Sequence, residues 1–419
     1  MPEPGKRYPS DGRTDQGNRC RRQAGNTRHN PRTRRQGKRR DRIFLGTPRN
    51  HAALRPYRTH VRRFGEDGIE KRGESGQRPG DGPRGRRRGD GMRQSRDFTK
   101  IIRDPKFLMS IILILLNVFF AIYSDSYFSI ENIFNMLKQS SMIIIVASAA
   151  TILMMTGNFD LSTGSNLAMT GVIYAIQLSA GMPLWPAAII AVLCGSMIGV
   201  VNGVLVSKME FPPFIATLGT MYVGRGLALI FADGTPVRGE KIPLGIATLA
   251  RGEFLGIPIP IFFIVVIVAV FMVVEKKSVF GKYSMAIGGN KNAAFFSGIN
   301  AGGVVFWNYL IVAVLAAFAG ILTSSRLASG DPRIGVGFEF DVILAILLGG
   351  TSLKGGKGSV IGTLIGALIV AVLGNGLDML NILTFWQSIL KGLIFVFAII
   401  INEKILKNIG KDKLVTAKN

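Results

Sequence analysis

Few side chains in this 419-residue chain have types and spacings that could do chemistry. The three histidines, His29, His51 and His60, all precede residue 92, so the apolar body has no imidazole to act as a general base or metal ligand. Cys20 and Cys194 can supply neither a disulfide framework nor a four-ligand zinc site. The run Gly349-Gly-Thr-Ser-Leu-Lys-Gly-Gly-Lys-Gly-Ser359 imitates a phosphate-binding P-loop but breaks its pattern. Thr351 stands where the first glycine belongs, and Gly358 stands where Ser or Thr should follow Lys357. A flexible hinge is the better account of it. No catalytic residue, no metal and no cofactor are expected.

The polar groups that do stand out lie inside apolar surroundings. Asn158, Asp160 and Ser162 fall in Gly157-Asn-Phe-Asp-Leu-Ser-Thr-Gly-Ser165, where Gly, Asn and Asp interrupt a helix. Inside a bilayer such a break persists only where protein or water satisfies the freed backbone groups. Its hydroxyls, amide and carboxylate suit contact with a polyhydroxylated solute or a cation. They equally suit a capped helix start, with Asp160 or Ser162 accepting backbone N–H bonds. Arg225 sits within an apolar segment, where insertion costs about 2.5–3.5 kcal/mol, so it must face the bundle interior or a wet cavity. Asn158, Asp160, Ser162 and Arg225 are thus the candidates for a solute pathway, with structural pairing as the alternative for Arg225.

The elements holding these groups are apolar runs near the roughly 17–25 residues a helix needs to cross a bilayer. Ten are predicted, at about 107–123, 141–157, 162–180, 184–206, 214–232, 259–274, 304–325, 341–353, 358–375 and 385–402. The eighth is short and ends in glycine, as a half-helix or re-entrant segment would. The fold class is therefore all-α, a polytopic membrane helical bundle of eight to ten spans. Basic residues before the first span, after the sixth (Lys276, Lys277, Lys282, Lys291) and in the tail place both termini in the cytoplasm. Loops 233–258 and 326–340 then face outward, although Arg238, Lys241, Arg251, Arg326 and Arg333 run against the charge rule. Gly195, Gly199 and Gly203, and again Gly358, Gly362 and Gly366, recur at every fourth position, the spacing by which membrane helices pack closely. Their similarity hints at a duplicated half.

Residues 1–91 differ from the rest. Only seven are Leu, Ile, Val or Phe, far below the roughly 20% at which a chain buries a core. They hold 23 Arg to 3 Lys, whereas residues 92–419 hold 8 Arg to 17 Lys. The expected organisation is a basic disordered leader over 1–91, read here as upstream sequence with Met92 as the start, and a transmembrane domain over 92–419. The other readings of the leader are a nucleic-acid or lipid-binding arm and a solvated tail. No nucleic-acid partner is expected.

From about Asp104 to Lys404 the chain resembles a known family, the permease subunits of ATP-binding-cassette importers for monosaccharides of the ribose type. The resemblance rests on ordered segments: Gly157 to Ser165, Pro213-Phe-Ile-Ala-Thr-Leu-Gly-Thr220, Arg225-Gly226, Gly234-Thr-Pro236, Gly281-Lys-Tyr-Ser-Met-Ala-Ile-Gly-Gly-Asn290, Ser297-Gly-Ile-Asn300 and Gly349-Gly-Thr-Ser352. It implies a multi-pass inner-membrane protein that imports a sugar. Its implied partners are a second permease copy, a cytoplasmic ATPase and an extracytoplasmic sugar-binding protein. It also implies that the loop between spans six and seven docks in a groove of the ATPase, with Gly288, Gly289, Asn290, Ala293, Ala294 and Gly298 making or shaping the contact. An ion-coupled secondary transporter, working without an ATPase, is the alternative.

Overall fold

A computed structural model describes residues 105–238 and 247–416. The division at residue 91 lies outside the described residues. The helices are α1 (Pro105–Tyr123), α2 (Ile130–Met155), α3 (Thr163–Ser179), α4 (Leu184–Ser207), α5 (Pro213–Phe231), α6 (Thr248–Arg251), α7 (Ile259–Lys277), α8 (Val279–Gly289), α9 (Lys291–Phe296), α10 (Ala301–Leu327), α11 (Phe338–Leu348), α12 (Val360–Met379) and α13 (Thr384–Thr416). The only strands among the described residues are a two-residue pair, β1 (Glu253–Phe254) and β2 (Ile257–Pro258), antiparallel to each other.

Each of the ten apolar runs overlaps one helix, and seven helices among the described residues are long and apolar enough to cross a membrane. Two boundaries differ instructively. The second helix begins at Ile130, well before the run at 141, because its first turns are amphipathic, with Ser129 accepting the Asn132 N–H as a cap and Glu131 in the first turn. The eighth is only 11 residues long and stops at Gly349, after which Gly350 takes a left-handed φ of 83°.

The bundle is apolar on its outside as well as in its core. α2 is enclosed over most of its length, with Ile144 to Met155 buried, and α10 and α11 complete the interior. The outward surfaces of α1, α4, α5, α7 and α13 present large apolar side chains such as Leu115, Leu193, Ile230, Val265 and Leu393. A surface of that kind is matched to hydrocarbon rather than to water.

Close backbone approach brings the inner helices together. A Cβ on Gly195 would lie 2.6 Å from the Ala317 Cβ, and one on Gly203 would lie 2.8 Å from the Phe306 ring. Gly199 likewise faces the Ala313 methyl, so all three α4 glycines lie along α10. Gly362 and Gly366 of α12 face the carbonyls of Gly349 and Ala345 on α11. Gly358 departs from the expected stripe. It precedes the α12 N-cap, Ser359, whose hydroxyl accepts from the Gly362 N–H, and it packs instead on the Met155 side chain. The helix starts two residues later than the glycine spacing suggests.

One acidic residue ties α7 to α12. Glu275 is buried, and its Oε2 accepts the backbone N–H of Val360 at 2.7 Å. A carboxylate at a helix N-terminus satisfies an orphan donor and opposes the helix dipole. Glu275→Gln keeps an acceptor oxygen but loses the charge. It is expected to lower stability by about 0.3–1 kcal/mol, read as a small fall in the midpoint of thermal unfolding of the purified protein; an unchanged midpoint would show that the charge contributes nothing.

Candidate functional site

Three assemblies of polar and small residues stand out. The first is the α8–α9 element, which the sequence builds from caps. The Ser278 hydroxyl accepts the Gly281 N–H, Asn290 Oδ1 accepts the Ala293 N–H at 3.0 Å, and Asn300 Oδ1 accepts the Gly303 N–H at 2.9 Å. Gly298, at φ 77°, makes the left-handed turn into α10. Short helices punctuated this way hold a fixed shape at little length.

Within that element the six predicted contact residues divide into two groups. Gly288 and Ala294 face inward: a Cβ on Gly288 would strike the Met155 carbonyl and come 2.9 Å from the Gly355 Cα, and Ala294 is buried. Gly289, Asn290, Ala293 and Gly298 are exposed, and a Cβ on Gly289 or Gly298 would meet nothing within 4 Å. Beside them stand Phe295 and Phe296, 70% and 86% exposed, their rings edge-to-face with centroids 5.8 Å apart. The sequence reading passed over this aromatic pair, although two adjacent Phe in a lysine-flanked connector were a visible signal. The loop 349–359, the P-loop look-alike, lies under this element. Its Gly356 N–H donates to the Met155 carbonyl at 2.8 Å, while Gly355 and Gly356 adopt left-handed φ values of 80° and 76°. It is a packed brace between α2 and α8.

A cavity of about 660 Å3 opens between this element and the bundle, lined by residues that include Thr156, Asn158, Ser207, Glu210, Lys291 and Asn300. Asn158 Nδ2 donates to Thr156 Oγ1 at 2.7 Å. An exposed ion pair, Lys291 to Glu210 at 3.6 Å, spans the cavity's edge; at such exposure it positions more than it stabilises.

The second assembly is the break between α2 and α3. Asp160 Oδ1 accepts the Ser162 N–H at 2.7 Å, the Ser162 hydroxyl at 2.6 Å and, more weakly, Asn202 Nδ2 at 3.4 Å. Asn202 also donates to Ser162 Oγ, and its Oδ1 accepts the Thr220 hydroxyl at 2.7 Å. The Tyr309 hydroxyl donates to the Phe159 carbonyl at 3.1 Å. Asp160 thus caps the turn, while the Ser162 side chain makes no cap bond to α3. Both side chains are buried, and Asp160 Oδ2 has no hydrogen-bond partner among the described residues.

The third assembly surrounds Arg225. Its Nη1 donates to two carbonyls of the segment leading into α11, Pro332 O at 2.8 Å and Ile334 O at 2.6 Å. Glu339, in the first turn of α11, attracts it electrostatically. The Glu339 Oε1 accepts the Gly337 N–H, whereas its Oε2 takes the space a Cβ on Gly164, at the start of α3, would need and has no hydrogen-bond partner among the described residues. Gly224 packs on Ser165 of the same helix start. The four candidate pathway residues therefore do not form one site. Asp160 and Ser162 share a network, Asn158 lines the cavity under α9, and Arg225 braces the α11 entry. Asn202 and Glu339 had gone unnoticed in the sequence, since neither sits in a break or a motif.

A family model described as "Branched-chain amino acid transport system / permease component" matches residues 132–399. The ribose import permease protein RbsC of Haemophilus influenzae is 39% identical over 293 residues, 69% of this chain and 90% of that protein. The ribose import permease of Bacillus subtilis is 39% identical over 292 residues, covering 70% and 91% respectively. The galactose/methyl galactoside import permease MglC of Escherichia coli is 33% identical over 314 residues, covering 70% and 92%. No solved structure matches the chain.

Proposed function

The chain belongs to this family of transport-system permease components, and from that premise we infer that it is the membrane-spanning permease subunit of an ATP-binding-cassette importer that moves a monosaccharide. Relatives named for ribose, D-allose and galactose import bound the substrate class to pentoses and hexoses. The observation that carries the reading is the extent of the likeness, about nine-tenths of the length of the ribose import permeases.

The chain is a multi-pass inner-membrane protein of a transporter family, not of an enzyme family. It is a conduit without its own engine: a separate cytoplasmic ATPase supplies the free energy, and a soluble sugar-binding protein delivers the solute. The exposed face of α8–α9, with Gly289, Asn290, Ala293 and Gly298 around Phe295 and Phe296, is the surface for the ATPase. Small residues permit close approach there, and two rigid rings fit a groove. Both termini then face the cytoplasm, in agreement with the lysines at 276, 277, 282 and 291. A second permease copy completes the membrane unit. Asn158, Asp160, Ser162 and Arg225 shape the path, the first from the cavity under α9 and the others by holding the helix starts that border it.

The test is uptake of labelled D-ribose, D-allose and D-galactose into proteoliposomes carrying this chain with its cognate ATPase and sugar-binding protein. Uptake of at least one sugar is expected, and it should stop when the ATPase's nucleotide-site lysine is replaced. Uptake that survives that replacement but collapses with the proton or sodium gradient would assign the chain to secondary transport instead.

A further inference from the structure

A second cavity, of about 480 Å3, lies between α11 and the first half of α13 and is lined by residues that include Phe340, Asp341, Ser388, Lys391 and Phe395. The Phe340 and Phe395 rings meet edge-to-face with centroids 5.9 Å apart. Lys391 Nζ lies 2.9 Å from Asp341 Oδ2, with 34% and 20% of the two side chains still exposed.

The pair's depth makes it unusual. Lys391 is two turns into α13, about 10 Å along the axis from Thr384, and its neighbours Ile389, Leu393, Val396 and Phe397 are exposed apolar residues. A partly exposed ion pair at that depth is not matched to hydrocarbon, because ionisable groups within membrane helices face protein or a water-filled space. The groove is therefore wet or occupied by something polar.

The groups present define what fits. Lys391 offers three donors and Asp341 several lone pairs, and the two share a single bond, so donor and acceptor capacity remains on both. An anion would meet the Asp341 carboxylate and a cation the Lys391 ammonium. A neutral molecule with adjacent hydroxyls can donate to one and accept from the other while its C–H face lies against the phenylalanine rings. The volume falls within the ~300–1,000 Å3 usual for small-molecule sites.

We propose that the α11–α13 groove is a binding subsite for the sugar in transit, in which Asp341 and Lys391 contact neighbouring hydroxyls of one monosaccharide. This rests on the monosaccharide reading above and adds a place to it.

The test uses the full chain with Cys20 and Cys194 replaced by Ala and Ser388→Cys introduced at the groove, reconstituted and treated with a charged, membrane-impermeant thiol reagent. Ser388→Cys should react, and millimolar D-ribose, D-allose or D-galactose should slow the reaction at least threefold, while sucrose, with two rings, should not. Protection should disappear on adding Asp341→Asn or, independently, Lys391→Met, and each of these should lower sugar uptake at least tenfold in the complete importer. An unreactive cysteine would mean that lipid or a second copy seals the groove, and the proposal would fall. A reactive cysteine that none of the three sugars protects would overturn it equally. If the importer takes up the sugars while the groove stays unprotected, only the subsite is lost. If no sugar is taken up at all, the monosaccharide reading itself has failed.

Discussion

Gly289→Trp should reduce sugar uptake to the level of an importer lacking its ATPase, while the permease still inserts, folds and receives the binding protein. Gly289 is exposed and a Cβ there meets nothing within 4 Å, so an indole has room inside this chain and projects away from it. At a surface built for close approach, that bulk holds the ATPase off, and a displaced contact cannot transmit a rigid movement. The adjacent glycine supplies the contrast. A methyl at Gly288 strikes the Met155 carbonyl and crowds Gly355, so Gly288→Ala should destabilise the fold by about 1–3 kcal/mol, the usual range for overpacking. Paired measurements of uptake and thermal unfolding separate the two variants: Gly289→Trp loses transport at an unchanged unfolding midpoint, whereas Gly288→Ala lowers the midpoint. Full uptake by Gly289→Trp would remove the ATPase from this face.

The sequence made the long helices readable because bilayer thickness imposes a length on each apolar run, and α4, α5, α7, α10 and α12 obey it. It obscured the start of α2 because Ile130 to Lys138 mixes polar and apolar residues, so hydropathy falls while helix propensity does not. The connector from residue 278 to 300 was recognisable only through its resemblance to a family. Its helices, of 11 and 6 residues, are too short for periodicity to register, and its caps, Ser278, Asn290 and Asn300, are intelligible only once the helices they close are seen. Tertiary pairs were least legible. Arg225 announced that it needed a partner, but the partners are carbonyls at Pro332 and Ile334, which no side-chain pattern marks. Asp341 and Lys391 stand 50 residues apart on different helices, and nothing in either segment points to the other. Asp160 was legible as a helix-start residue, whereas its link to Asn202 and Thr220 depends on how α4 and α5 cross the break.

Arg225→Met should destabilise the bundle strongly, and Glu339→Gln should repair part of the damage. Removing the guanidinium leaves the Pro332 and Ile334 carbonyls without their donor and strips Glu339 of a nearby positive charge. Breaking a fully buried charge pair costs about 3–5 kcal/mol; Arg225 is only half-buried, so about 2–4 kcal/mol is the expected loss once solvent screening is allowed for. Glu339→Gln alone should be nearly neutral, because the Oε2 it converts has no hydrogen-bond partner among the described residues and an amide is cheaper to bury than a carboxylate. The double variant should therefore be more stable than the sum of the single effects predicts, by about 1–2 kcal/mol of coupling. Because one nitrogen, Nη1, carries both carbonyl bonds, Arg225→Lys should retain more stability than Arg225→Met, which separates the contribution of charge from that of guanidinium shape. Unfolding midpoints of the four proteins in the cycle decide the matter. Strict additivity would mean that Arg225 holds the α11 entry through its carbonyl bonds alone and that Glu339 is indifferent to it.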